Sequence, residues 1–178
     1  VKAVIRGDVG AHLHTKGASP IGNTCDVMLG GYDIANYAVD MTAVFTNKMP
    51  FGAYRGFGAP QAFIAIEGMI DLLSAELGLD PADVRMKNLL RPEQFPHMTP
   101  LGARLDSGNY PECFRRALEL SDYKRLRDEQ QRARAEGRYL GIGISSPLEL
   151  GGQGPCKEMH DRLGILQGGY ESATVRID

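Results

Sequence analysis

The chain has 178 residues, 43% of them hydrophobic, enough to bury the core of one domain or two lobes. Its net charge of −2 gives no basic footprint for nucleic acid, no apolar run reaches bilayer-spanning length, and no signal-like segment opens it. The three cysteines, Cys25, Cys113 and Cys156, are too few and too scattered for a disulfide framework, and the chain reads as cytoplasmic. Both ends read as cut from something longer: residues 1–6 already alternate as a strand does, and 174–178 stop without a turn signal.

Residues 1–14 read as one or two short strands broken at Gly7 and Gly10. Residues 15–31 are rich in Gly, Ser, Asn and Pro and read as a long ordered loop. Alternation over 37–46 predicts a strand that feeds the next loop. Apolar residues at Ala62, Ile66, Met69, Ile70, Leu73 and Leu77 form a helical stripe, with Gly78 as its stop. Asp80 as N-cap and Pro81 in the first turn predict a second helix to about Leu90. Prolines 92, 96 and 100 make 91–108 an irregular crossing. A third helix over 110–121 is expected to bury Phe114, Ala117 and Leu118. A fourth, over 122–136, is polar, with spacings Lys124/Asp128, Arg125/Glu129, Asp128/Arg132 and Arg132/Glu136 for weak i,i+4 pairs on a solvated face. Residues 139–150 and 170–177 read as strands on either side of a glycine-rich loop. The expected class is α+β, strands of a mixed sheet with about four helices. Residues 1–138 form a first lobe, and 139–178 begin a strand-rich second one.

The most informative stretch is Gly52-Ala53-Tyr54-Arg55-Gly56-Phe57-Gly58-Ala59-Pro60-Gln61. Proline suits the first helical turn, where its missing N–H costs nothing, so Gly56-Phe57-Gly58 should sit at a helix N-terminus. Free amides and the positive end of the helix dipole favour an oxyanion or phosphate there. Arg55 adds a permanent forked cation, and Phe57, between two residues without side chains, can present its ring to a planar ligand. On spacing alone, a glycine-rich turn with a solvated Arg and a core Phe fits equally well.

The string from Ala53 to Ala62, followed by Phe63-Ile64-Ala65-Ile66-Glu67 and Leu77-Gly78-Leu79-Asp80-Pro81, closely resembles the molybdenum hydroxylases, which include xanthine dehydrogenases, aldehyde oxidoreductases and large subunits of carbon monoxide dehydrogenase type. Matches at 31–37, 43–48, 84–89, 137–143 and 171–176 extend the resemblance along nearly the whole chain, in the expected order. The resemblance implies an internal segment of a molybdopterin-binding large subunit. It implies oxidation of an aldehyde or N-heterocycle with oxygen from water, and electrons leaving through two [2Fe–2S] clusters to FAD on partner domains or subunits. Arg55, Gly56, Phe57 and Gly58 would meet the molybdenum cofactor, and Phe57 would also wall the substrate. No side chain need ligate the metal, which the pterin dithiolene holds. The family's catalytic glutamate and most pterin contacts fall beyond these residues, so no catalytic residue is assigned within the chain, and the isolated segment is expected to bind no cofactor and to be inactive.

Two departures narrow the substrate. Copper-containing carbon monoxide oxidisers carry a cysteine directly after the loop Arg; here that residue is Gly56, which excludes their chemistry. Xanthine dehydrogenases place a substrate-orienting arginine about thirty residues before the loop, and this chain has no Arg or Lys between Gly17 and Asn47. His12-x-His14 on a strand would share a side, yet lacks a close partner pair for a metal. Gly152-Gln153-Gly154 resembles the family's pterin-approaching turns but precedes the last strand, and is read as a linker. Two other classes stay open from the residues: a non-catalytic scaffold or assembly module with this fold, and a stand-alone phosphate-ligand enzyme, although the turn lacks the Lys-Ser/Thr pair of a P-loop.

Overall fold

The computed structural model describes residues 1–14, 16–149, 161 and 172–177. They fall into two compact units, Val1–Leu148 and Glu149–Asp178, and every strand and multi-residue helix named below belongs to the first. In strand β1 (Lys2–Asp8), Ala3, Ile5 and Gly7 turn inward while Lys2, Val4 and Arg6 are exposed, the period-two pattern of an extended chain. β1 runs unbroken through Gly7, contrary to the expected interruption. Glycine serves there because helix α1 (Ser19–Val27) comes so close that a Cβ would lie 2.0 Å from Ile21 Cδ1.

Helix α1 is itself a correction, since 15–31 reads as loop in the sequence. Its Pro20 sits in the first turn, and Pro20, Ile21, Thr24, Cys25 and Val27 are buried. The polar letters that disguise it, Asn23 and Thr24, direct their side chains onto a neighbouring loop, so tertiary contact overrides weak propensity. Strand β2 (Ala38–Val44) forms where the sequence predicts a strand, although of the alternating set within it only Val39 is partly buried and Met41 and Ala43 are exposed; it lies parallel to β1, from Lys2 opposite Ala38 to Asp8 opposite Val44. A parallel pair needs a crossover, and α1 provides it.

Helix α2 (Ala59–Leu77) starts before the first residue of the predicted stripe and ends at Gly78, whose φ of +63° and N–H bond to Ala75 O (3.2 Å) make a left-handed stop. Ala62 and Ile66 face the core and Ile70 is half-buried, but Met69, Leu73 and Leu77 are exposed, as are Ile64 and Leu72. The stripe pattern fails because apolar residues stand on most faces of α2, so their spacing does not say which of them the core takes.

Helix α3 (Pro81–Asn88) begins as expected, with Asp80 accepting from Ala82 N–H at 2.8 Å. The crossing over 91–108 contains a short 3-10 turn (Pro92–Gln94), a cis Phe95–Pro96 bond, and a small antiparallel pair, β3 (His97–Met98) with β4 (Arg104–Leu105). Helix α4 (Tyr110–Leu120) buries Phe114 and packs half-buried Leu118 on the core, while Ala117 is exposed against expectation. In helix α5 (Tyr123–Ala135) Arg125 pairs with Glu129 at 3.1 Å. The other three expected pairs do not form; Arg125 also reaches back to Asp122 (2.9 Å), and Arg127 reaches Asp80 (3.2 Å). Residues 139–149 and 172–177 carry no strand, because an extended run becomes one only beside a ladder partner and none lies alongside among the described residues. The fold is α+β, with five α-helices and two separate two-stranded ladders among the described residues. No helix described is long and apolar enough to cross a membrane.

The core gathers Val27, Met28, Tyr32, Ala59, Ala62, Ile66, Ala82, Leu89 and Phe114. Set into it is one ionic network. Arg85, fully buried, donates to Glu67 Oε2 (2.7 Å) and pairs with Asp71 (2.8 Å), while Glu67 Oε1 accepts from Tyr32 OH (2.9 Å) and Ser146 N–H (3.0 Å). Burial works against the Arg85 charge, and the Asp71 and Glu67 carboxylates outweigh it, raising the guanidinium's pKa. Burial and the adjacent Glu67 carboxylate push the Tyr32 phenol up.

Candidate functional site

Parallel strands tend to place ligand sites beyond their carboxyl ends, and here two loops meet beyond Asp8 and Val44. They are laced together by backbone bonds: Thr46 N–H to Gly10 O (3.0 Å), Ala11 N–H to Lys48 O (3.0 Å) and Phe51 N–H to Val9 O (3.1 Å). At Gly10, with φ +76°, a Cβ would lie 2.3 Å from Met49 O, so only glycine permits this approach. Asp8 ties the junction, accepting from Thr46 Oγ1 (2.6 Å) and Gly10 N–H (2.9 Å) and pairing with Lys48 Nζ (2.8 Å). Lys48 foremost, then Thr46 and Gly10, hold the Asp8 carboxyl at about 2. Sequence reasoning missed this hub, because no local pattern links positions that far apart.

The second loop ends in the predicted turn. Gly56, Phe57 and Gly58 have φ of +90°, +45° and +95°, and Gly58 is the N-cap of α2. Phe57 is the costly member, since a bulky residue in the left-handed region stores roughly 1–3 kcal/mol and persists only when its surroundings impose it. Those surroundings are α1. Asn23 Nδ2 donates to Phe57 O (2.8 Å), and Thr24 Oγ1 lies 2.8 Å from Gly58 O and 3.0 Å from Pro20 O. A Cβ on Gly58 would sit 1.9 Å from Pro20 O. Phe57 N–H bonds Tyr54 O and Ala59 N–H bonds Gly56 O, both at 2.8 Å. The Gly56, Gly58 and Gln61 amides have no acceptor among the described residues. Arg55 is exposed and makes no ion pair among them; the Phe57 ring is half-buried and stands outside the core cluster.

Amides without an acceptor at the positive end of a nineteen-residue helix, next to a guanidinium unpaired among the described residues, form a donor set suited to anionic oxygen. A cleft of about 250 Å³ opens beside it, walled by Ile5, Ile21, Phe51, Thr24, Gly58 and Gln61. Gly58 and Gln61 join the turn to this cleft, whereas Arg55 and Phe57 do not line it. Tyr54 and Met49 are among the most exposed large side chains, at 89% and 87%, leaving apolar surface around the turn.

His12 and His14 lie past the end of β1 rather than on a strand, and no group of three metal-ligating side chains occurs among the described residues. Cys25 is buried on α1, and burial, then Asp26, pushes its thiol up, which suits a packing residue and not a nucleophile. Burial likewise raises the Tyr37 phenol to about 12, where it donates to Cys25 O (3.2 Å). Gly152-Gln153-Gly154, Cys156, Glu158 and His160 lie outside the described residues.

A family described as "Molybdopterin cofactor-binding domain" matches residues 1–89, which contain both loops and the whole of α1, α2 and α3. The carbon monoxide dehydrogenase large chain of Afipia carboxidovorans is 43% identical over 162 residues, 85% of this chain and 19% of that one. The crystal structure of a Cu,Mo-CO dehydrogenase superposes with a TM-score of 0.71 at 38% identity, covering 88% of this chain and 20% of that one. Quinoline 2-oxidoreductase from Pseudomonas putida 86 gives 0.70 at 37% identity, covering 79% and 18%. This chain thus spans about a fifth of the length of the curated relatives it matches.

Proposed function

The chain belongs to the molybdenum hydroxylases, through their molybdopterin cofactor-binding domain, and on that premise we propose that it supplies the molybdenum-facing loop of a large subunit oxidising an aldehyde or N-heterocycle. The observation that carries the reading is the strained turn at the head of α2, whose Gly56, Gly58 and Gln61 amides are unspent, and whose Arg55 is unpaired, among the described residues. That donor set fits the anionic oxygens of a molybdopterin-held molybdenum, which when bound would supply the oxygen-transfer and two-electron chemistry. Gly56 and Gly58 hold amide hydrogens in place before the reaction, so no reorganisation is needed when negative charge develops. Arg55 balances that charge, and Phe57 forms one wall for a planar substrate. No catalytic base is assigned within these residues.

The substrate class follows from two absences in the sequence. Gly56 offers no thiolate for copper, and 18–46 contain no cation to orient a purine, so an aldehyde or another N-heterocycle is favoured. Quinoline 2-oxidoreductase, by its name a heterocycle enzyme, supports the second option. Residues 1–138 act as the first cofactor-binding lobe in this proposal, and iron–sulfur and FAD modules receive the electrons. The test uses the full-length polypeptide containing this chain, purified with its cofactor and assayed on aldehydes and N-heterocycles with an artificial electron acceptor. Arg55→Met should lower kcat about a hundredfold, the scale of losing one preorganised charge-stabilising donor. Unchanged turnover together with an unchanged molybdenum electron paramagnetic resonance signal would remove the loop from the site.

A further inference from the structure

We propose that Asn23 and Thr24, in the second turn of α1, are positioning residues, Asn23 aiming the Gly58 amide outward and Thr24 anchoring the turn that carries it; this rests on the loop reading above. A trans peptide sets its N–H opposite its C=O. The bond from Asn23 Nδ2 to Phe57 O (2.8 Å) therefore turns the Gly58 N–H away from α1, where no protein acceptor meets it among the described residues. Thr24, 7% exposed, holds the next carbonyl, Gly58 O, at 2.8 Å, and fixes the N-cap of α2 against α1. Neither bond serves α1's own backbone ladder. Together they fasten successive carbonyls of a turn whose Phe57, at φ +45°, would not persist there unsupported. The close approach of Gly58 to Pro20 O leaves no room for the turn to slide.

The direction of the Gly58 donor is in this way set from the crossover helix. Asn23 lies thirty-four residues before Phe57, and Thr24 the same distance before Gly58, so the matched spacing is a register between helix and turn. In the purified full-length enzyme, Asn23→Ala and Thr24→Val should each lower kcat about tenfold or more, a fraction of the effect of losing an oxyanion donor outright, with KM changed less than about threefold. The molybdenum electron paramagnetic resonance signal should shift in both, with molybdenum content measured alongside. Thr24→Ser, which keeps the hydroxyl, should restore kcat to within about threefold and return the signal. Wild-type kcat and signal in Asn23→Ala and Thr24→Val would overturn the inference. So would a rise in KM alone with an unshifted signal, which would make Asn23 a direct substrate contact, or a Thr24→Ser enzyme as impaired as Thr24→Val. Arg55→Met separates the two levels: if it alters signal and turnover while the α1 variants do not, the loop reading stands and the positioning role fails. If it alters neither, the loop reading itself fails.

Discussion

Arg85→Met tests the energetics of the buried network directly. The substitution keeps most of the aliphatic volume and removes a fully buried guanidinium that bonds Glu67 Oε2 at 2.7 Å, Asp71 at 2.8 Å, Pro81 O at 3.1 Å and Glu67 O at 3.2 Å. Asp71 is half-exposed and can turn to water, so the cost concentrates on Glu67. Among the described residues its carboxylate then stays buried with the Tyr32 hydroxyl and the Ser146 amide to balance the charge. Removing one partner of a buried pair costs about 3–5 kcal/mol, and the two surviving donors place this case near 3. A chain of this size should then lose roughly 6–12 °C in thermal midpoint. Adding Glu67→Gln removes the orphaned charge and keeps an acceptor for both donors, so the double variant should lie only about 1–2 kcal/mol below wild type. Urea unfolding with the m-value monitored is the assay. If Arg85→Met costs under about 1 kcal/mol, or if the double variant is as unstable as the sum of the singles, the charge-pair reasoning is wrong.

Glycine substitutions should split by site. Gly58→Ala, with φ +95° and a backbone oxygen 1.9 Å from the new Cβ, should destabilise by more than about 2 kcal/mol, while Gly68→Ala on exposed α2 surface, with nothing within 4 Å, should stabilise by about 0.5–1 kcal/mol in thermal melts. Asp8→Asn should weaken the loop junction in a pH-dependent way. The folded carboxyl lies at about 2 against an ordinary 3.8, so its contribution is complete above pH about 4 and fades as pH falls toward 2. The gap in melting temperature between wild type and Asp8→Asn should narrow over that window, and a constant gap would contradict it. On α2, Ile66→Ala should cost about 2–5 kcal/mol, whereas Leu72→Lys, at 67% exposure, should change the stability of this chain by less than about 0.5 kcal/mol in the same urea assay.

Where the signal was local, the sequence by itself determined the outcome. Pro60 and Gly78 bracket α2, Asp80 caps α3 through its own side chain, and the alternation after Tyr37 becomes β2, because caps, stops and period-two patterning act within a few residues. The Gly-Phe-Gly turn at a helix head was legible for the same reason. Only the tertiary structure decided what depends on partners distant in the chain. Helix α1 is written in residues that favour turns and forms because Ile21, Cys25 and Val27 find a core and Asn23 and Thr24 find a loop thirty-four residues away. The apolar letters of α2 could not say which face would be covered, since nearly every face is apolar. Asp8 became a hub only once parallel pairing brought Thr46 and Lys48 to it, and among the described residues 139–149 and 172–177 form no strand because a strand exists only in a ladder with a neighbour.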